Sequence, residues 1–344
     1  MNDYVFKILK ENYRLLASNV VELSGGWLNK KFLVETKDKK FVLKIMSNKK
    51  VEKMSNSELS ISHIDARFLL SLKIEEALFC SGINCPNIIR NINGELISNI
   101  ADERCFLMEY IDGEMLNNRN INSIQLSLLE KECAKMHLQL EKYDSLEIPG
   151  EYLSLPTISK LKSNYVKKVR MSKDSNLKIY LELLEKQFAI INLIESSSLI
   201  SEIPISIIHG DFANDNIIFI ENKPYIIDFE LIRKNSPLQD IGRIIMSFCY
   251  DGMKMDIKKI AHFLKGYNSV KKITYSDLAL SFMVVWLNEV DMWIKKSYFE
   301  KDITEKASRF KSELIFITNN FQDIYDFYVN QKESEIVKIK KQGK

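Results

Sequence analysis

Cysteine is scarce: five residues in 344 (Cys80, Cys85, Cys105, Cys133 and Cys249), odd in number, scattered, and with no Cys-x-x-Cys pair. That usage argues against a zinc site or a disulfide framework and suits a reducing, cytoplasmic setting. Long apolar runs are missing too; none approaches the roughly 20 residues of a membrane span. The start, Met1-Asn2-Asp3-Tyr4, lacks the charged-then-apolar form of a signal peptide, so neither membrane nor export is expected. Nor does one sign of charge dominate. With 49 Lys+Arg against 46 Asp+Glu the net charge is +3, which gives no support for nucleic-acid binding as the main activity. There is no repeat and no long low-complexity segment. What remains is an ordinary globular composition, 46% hydrophobic and 28% charged, in a chain long enough for two lobes sharing a cleft.

The richest stretch runs from Ile207 to Ile245. Short β-branched runs (Ile207-Ile208, Ile217 to Ile220, Tyr225 to Ile227) alternate with polar loops and the turn Asn222-Lys223-Pro224, the pattern of paired strands. Asp211, Asn216 and Asp228 therefore fall at strand ends and in the loops beside them, where binding and catalytic groups concentrate. Asp211 and Asn216 are five residues apart and Asp228 begins the next loop. In kinases an Asp of the catalytic loop accepts the hydroxyl proton, while an Asn further on and an Asp after the next hairpin hold magnesium, which demands hard oxygen ligands. The three residues fit those roles in that order.

The rest of the chain supplies a nucleotide side. Tyr4 to Leu16 has helical spacing, and Lys31 to Thr36 and Lys40 to Met46 read as a hairpin. Gly25-Gly26 just before it lets backbone amides approach a phosphate closely. Lys44, flanked by Leu43 and Ile45, sits as the strand lysine that kinases place on the α/β-phosphates. A helix follows from Ile61 to Ser81, ended by Gly82 and Pro86; Asn87 to Arg90 and Glu95 to Ile97 read as strands around Asn93-Gly94. Phe106 to Met108 is a buried strand leading into Glu109-Tyr110-Ile111-Asp112-Gly113. Helices are expected over Ile124 to Leu140, from the end of the Tyr143–Thr157 loop to Leu199, from Asp240 (as N-cap), and over Ile257 to Tyr267, Tyr275 to Lys296 and Ile303 to Val329. Lys332 to Lys344 reads as a flexible, solvated, Lys-rich tail. His137, a lone histidine on a helix face, is taken as structural.

These motifs together resemble the aminoglycoside phosphotransferase and choline kinase superfamily of small-molecule kinases, from about Leu23 to Tyr267. His209-Gly210-Asp211, four residues, then Asn216 matches its first signature, and Ile227-Asp228-Phe229-Glu230 its second. Gly25 to Phe32 (Gly-Gly-x-x-Asn-x-x-Phe), Lys44, Glu109 to Gly113 and Asp240 agree as well. The resemblance implies an α+β, bilobal protein-kinase-like fold: a small β-rich N-terminal lobe (1–108) and a larger, mostly helical lobe (109–331) that binds the acceptor. It implies Asp211 as catalytic base, and Asn216 and Asp228 as ligands of Mg2+. ATP, or GTP, would be held by Gly25, Gly26, Asn29 and Lys44, with adenine against Met108 and the backbone of Glu109 and Ile111. His209 and Asp240 would buttress the catalytic loop. One departure stands out: the family's helix glutamate would fall near Ser71, leaving Glu75, Glu76 or neither to pair with Lys44.

The acceptor is expected to be a hydroxyl of a small molecule, with a monomer or homodimer as the working form. Trp286, Glu289 and Trp293 share a helical face. An acid between two indoles would hold an ammonium, as an aminoglycoside, amino sugar, amino alcohol or homoserine carries; the same spacing also fits plain core anchors. Glu230, beside Asp228, is a further acceptor-side candidate. A catalytically silent, spore-coat-type relative is the alternative, against which the intact Asp211, Asn216, Asp228 and Lys44 count.

Overall fold

The computed structural model describes residues 2–23, 29–47, 61–100, 103–148, 155–172 and 177–342. It is an α+β chain that divides into two compact units. The first comprises Met1–Met115, Ser145–Tyr152 and Asp215–Ile232; the second comprises Leu116–Asp144, Leu153–Asn214 and Arg233–Lys344. A contiguous boundary after Met108 is thus replaced by an interleaved one, because the Asn216–Asp228 hairpin packs with the N-terminal sheet. Among the described residues no helix is long and apolar enough to cross a membrane.

The first unit is built on an antiparallel sheet. Strands β1 (Asn19–Leu23), β2 (Asn29–Glu35), β3 (Lys40–Ser47), β4 (Ile88–Ile89), β5 (Ser98–Ile100) and β6 (Glu103–Glu109) take the order β1-β2-β3-β6-β4, with β5 also on β6. Side chains alternate faces along a strand, and each face has its own core. Phe32, Val34, Leu43, Ile45 and Leu107 pack with Val5, Ile8 and Leu9 of helix α1 (Asn2–Tyr13). Met46, Phe106 and Met108 pack with Phe68 and Leu72 of helix α2 (Ile61–Cys80). Lys44, between Leu43 and Ile45, therefore points to the α2 face. The strand expected over Glu95 to Ile97 begins only at Ser98. Asn91 explains the shift: its Oδ1 accepts from the amides of Asn93 and Glu95, and its Nδ2 donates to the Ile97 carbonyl and to Ser98 Oγ. A side chain has taken over the backbone of that turn. Strands β7 (Glu114–Met115), β9 (Ile217–Ile220) and β10 (Lys223–Ile226) form a second sheet in the order β10-β9-β7.

In the second unit β8 (Ser206–Ile208) pairs with β11 (Arg233–Asn235), a short strand not anticipated from sequence. The same unit contains α3 (Ser123–Leu140), α4 (Ile158–Met171), α5 (Lys178–Ser196), α6 (Leu199–Glu202), α7 (Pro237–Cys249), α8 (Ile257–Asn268), α9 (Tyr275–Trp293), α10 (Ser297–Glu300), α11 (Glu305–Asn319) and α12 (Phe321–Gln342), of which α3 and α7 pack on β8. Three expectations change. The helical region before Leu199 is two helices, α4 and α5, followed by the short α6. Asp240 is not the cap of α7: Ser236 accepts from the Leu238 amide and Pro237 occupies the first turn, where its missing N–H costs nothing. The Lys-rich end is not a tail from Lys332. Helix α12 continues to Gln342, through helix-favouring Lys and Glu, and Lys332 pairs with Glu202.

Two positions show how tightly these helices meet. A Cβ on Gly242 of α7 would lie 2.7 Å from the Ser281 carbonyl oxygen and 2.7 Å from Val285 Cγ2 on α9. The backbone oxygen cannot yield, so overpacking of about 1–3 kcal/mol outweighs the roughly 1 kcal/mol by which Ala favours a helix over Gly. Gly242→Ala is expected to lower stability in urea unfolding; an unchanged midpoint would refute the close approach.

Glu130 of α3 is fully buried, has one carboxylate oxygen without a hydrogen-bond partner, and stands 3.3 Å from His262 Nδ1. Burial pushes its carboxyl up to about 8. An acid whose folded value is raised costs stability as pH climbs from its unfolded value, about 4.3, towards the folded one. The wild type should therefore lose stability relative to Glu130→Gln by up to about 1.4 kcal/mol per pH unit between those limits. Parallel stability curves at pH 5 and pH 8 would exclude it.

Candidate active site

In the first unit, β3 and the hairpin β9–β10 bring one lysine between acids. Lys44 Nζ donates to Glu230 Oε1 at 2.6 Å and to Asp228 Oδ1 at 2.9 Å, and the residue is only 4% exposed. Burial disfavours its charge, yet Glu230 and Asp228 outweigh burial and hold the ammonium well above its ordinary range. Burial likewise would raise Asp228, but Lys44 and Lys31 reverse the sign and keep this carboxyl well below the usual carboxylate range. Burial wins at Glu230, whose value is raised despite Lys44. Asp228 is thus the acid held most firmly in its ionised form. Its backbone is left-handed, at φ +68°, uncommon outside glycine though tolerated by Asp, and a strained residue at a strand end is frequent at functional sites.

Asn216 closes the short turn Asn214–Asn216 and leads into β9. Its carbonyl accepts from the Ile227 amide at 3.0 Å, so the base of one hairpin fixes both Asn216 and the residue before Asp228. Glu75 settles the helix acid. It is 2% exposed on α2, and burial drives its carboxyl up to about 8 against the pull of Lys44. Glu75 thus faces Lys44 electrostatically, and one of its oxygens has no hydrogen-bond partner. Glu76 instead meets Arg90, Nη2 to Oε2 at 2.6 Å.

The second unit holds the His209-Gly210-Asp211 loop. Asp240, wholly buried on α7, accepts from the His209 amide at 2.9 Å through Oδ2 and from the Gly210 amide at 3.1 Å through Oδ1. Burial opposes its charge, but His137 and these amides together hold it below its ordinary value. His137 Nε2 lies 3.3 Å from Asp240 Oδ2 and its Nδ1 2.9 Å from the Tyr267 hydroxyl, which makes it structural, as expected. The Asp211 amide donates to His209 Nδ1 at 3.2 Å, and Gly210 has φ +84°, a conformation that a side chain would strain. The loop is therefore fixed by backbone bonds.

Other expected site residues divide. Gly25 and Gly26 lie outside the described residues, and Asn29 opens β2. Met108 is buried in the α2-side core. The Glu109 amide donates to the Asn87 carbonyl at 2.9 Å and its carboxylate meets Lys39 at 3.1 Å; Ile111 follows β6 and is half-buried. Glu230, an acceptor-side candidate, accepts from Lys44, and one acceptor-side expectation is corrected. Trp286 is a core residue, 0% exposed, its Nε1 donating to Thr318 Oγ1 at 3.0 Å and its ring edge-on to Phe321. No cage forms around Glu289: that carboxylate accepts from Trp293 Nε1 at 3.0 Å and Gln239 Nε2 at 2.9 Å, and lies 3.4 Å from the buried Arg243. Sequence reasoning missed two residues. Arg243 pairs with Glu313 at 2.7 Å. Lys31 Nζ donates to Asp228 Oδ2 at 3.1 Å; its place directly opposite Lys44 across the hairpin was the available signal.

The donor set suits a magnesium ion. Asp228 offers an ionised carboxylate and Asn216 belongs to the same hairpin; among the described residues no three His, Cys, Asp or Glu side chains gather as a metal cage. Magnesium needs few protein ligands of this hard-oxygen kind, taking the rest from water and phosphate.

Comparison with known proteins agrees with these features. The family model described as APH, phosphotransferase enzyme family, matches residues 19–271. A homoserine kinase of Bartonella henselae is 22% identical over 244 residues, 66% of this chain and 73% of that protein. In fold, the chain is similar to an amicoumacin kinase solved with AMP-PNP, Ca2+ and Ami, at a TM-score of 0.61 and 14% identity over 92% of this chain and 93% of that one. It is also similar to a choline kinase of Cryptosporidium parvum, at a TM-score of 0.60 and 15% identity over 97% and 99%.

Proposed function

This chain belongs to the APH phosphotransferase enzyme family, and on that premise we propose that it transfers the γ-phosphate of ATP to a hydroxyl of a small, amine-bearing molecule such as homoserine. The observation that carries this reading is the buried Lys44 ammonium shared between Asp228 and Glu230, a preformed cationic seat for phosphate beside an ionised metal ligand. Lys44 binds the α/β-phosphates, Asn216 and Asp228 hold Mg2+, and the backbone around Glu109 and Ile111 takes the adenine edge. Asp211 orients the acceptor hydroxyl and accepts its proton; His209 and Asp240 keep that loop in place. When bound, Mg2+ neutralises charge on the β- and γ-phosphates. The homoserine kinase relatives support an acceptor carrying both an amine and a hydroxyl, whereas the tryptophan cage no longer does.

The test is direct. Mg-ATP at about 100 times its Kd should stabilise the fold by about 2.7 kcal/mol, read as a thermal shift, with GTP compared alongside. ADP release is then measured with homoserine, choline, amino sugars, aminoglycosides and methylthioribose. Absence of any shift with Mg-ATP would overturn the kinase reading and favour a silent, structural relative.

A further inference from the structure

We propose that Lys31 is a built-in competitor for the metal-ligating carboxylate of Asp228, so that a divalent cation and a nucleotide are bound as partners rather than separately. This rests on the phosphotransferase reading, in which Asp228 ligates the metal. Lys31 and Lys44 stand directly opposite each other on β2 and β3, on the same face of the sheet, and between them they occupy both oxygens of Asp228: Lys44 on Oδ1 at 2.9 Å and Lys31 on Oδ2 at 3.1 Å.

The two lysines are not equivalent. Lys44 has 5% of its side chain exposed and is also bonded to Glu230, so leaving would strand buried charges, which is costly. Lys31 has 23% of its side chain exposed and sits on a flexible four-carbon stem, free to turn towards solvent or a ligand. Charge sets the direction. Lys31 and Lys44 balance Asp228 and Glu230, two positive against two negative, so an approaching dication meets no excess of negative charge and finds Oδ2 already taken. Anionic phosphates give the Lys31 ammonium another partner. Once it moves to them, Oδ2 and one unit of negative charge become available to the metal. By linkage the effect is reciprocal: metal at Asp228 releases Lys31 for phosphate. A lysine that merely decorated the sheet surface would contribute little in either direction.

Binding of each ligand alone, without turnover, tests this on the full chain. Mn2+ binding is followed by the paramagnetic resonance of the free ion in the absence of nucleotide, and ADP binding by calorimetry in the presence of EDTA. Lys31→Met is expected to bind Mn2+ roughly tenfold more tightly and ADP roughly tenfold more weakly than wild type, a size common for coupled sites. Opposite shifts are the signature, since general loosening of the site would weaken both. Unchanged affinities, or shifts in the same direction, would overturn the role of Lys31. Should the methionine variant not fold, Lys31→Gln provides the same neutralisation. A wild type that bound neither Mn2+ nor ADP would instead bring down the phosphotransferase reading itself.

Discussion

Asp211→Ala is expected to lose transfer by about 10²–10⁴-fold, the usual worth of a positioned general base, while nucleotide affinity stays at the wild-type level. The separation follows from where the bonds lie. The loop is held by the amides of His209 and Gly210 on Asp240 and by the Asp211 amide on His209. All of these are main-chain donors, and all survive truncation of the Asp211 side chain. Lys44 and Asp228, the groups proposed to hold phosphate and metal, belong to the other compact unit and keep their own contacts with each other. Asp240→Asn makes the contrasting control. It weakens the acceptor for two amides and His137, so stability and transfer should fall together. The pair is read by ADP release and calorimetric titration with nucleotide. Wild-type turnover in Asp211→Ala would remove Asp211 from the chemistry; lost nucleotide binding would show that it serves the fold instead.

Much of this was readable in the chain because the signals are local. The β2–β3 hairpin, α2 and the β9–β10 hairpin follow from period-two and period-3.6 patterns, and the short spacings of Asp211, Asn216 and Asp228 fix them at strand ends. What escaped depends on partners distant in sequence. Glu230 sits two residues from Asp228, yet only the fold shows that it meets Lys44, 186 positions away. Trp286 and Glu289 share a helical face, but helical spacing cannot say whether the face looks onto solvent or onto Phe321 and Arg243. Asp240 had the composition of an N-cap and was displaced from that role by Ser236-Pro237, a better start, leaving its carboxylate for the catalytic loop. The helix acid shows the same limit: Glu75 and Glu76 are neighbours, and a one-residue difference in helical phase sends one into the core beside Lys44 and the other to Arg90.

Lys44→Met is expected to damage both binding and the fold, with a pH dependence that identifies the cause. Removing one partner of a buried ion pair costs about 3–5 kcal/mol, because the acids left behind lose their counter-ion without regaining water. Lys31 still neutralises Asp228 in the variant, so the uncompensated burden falls chiefly on Glu230. In the wild type the depressed Asp228 carboxyl contributes stability that is present above its unfolded value, about 3.9, and is lost only as pH falls through the lower folded value. The raised Lys44 ammonium contributes throughout the range below about 10.4, its unfolded value. In the variant Glu230 can relieve its burial by taking up a proton. The deficit against wild type should therefore be largest near pH 8 and shrink towards pH 5, where neutralising Glu230 costs least. Adding Glu230→Gln to Lys44→Met should recover part of the lost stability, since removing both partners of a buried pair is far less damaging than removing one. A deficit independent of pH, or a double variant as unstable as the sum of its parts, would mean that Lys44 supports the sheet through its place beside Phe106, whose ring centroid lies 5.5 Å from Nζ. Nucleotide affinity separates the roles further: under the proposed function the double variant regains stability but not full nucleotide affinity, because the Lys44 charge is gone.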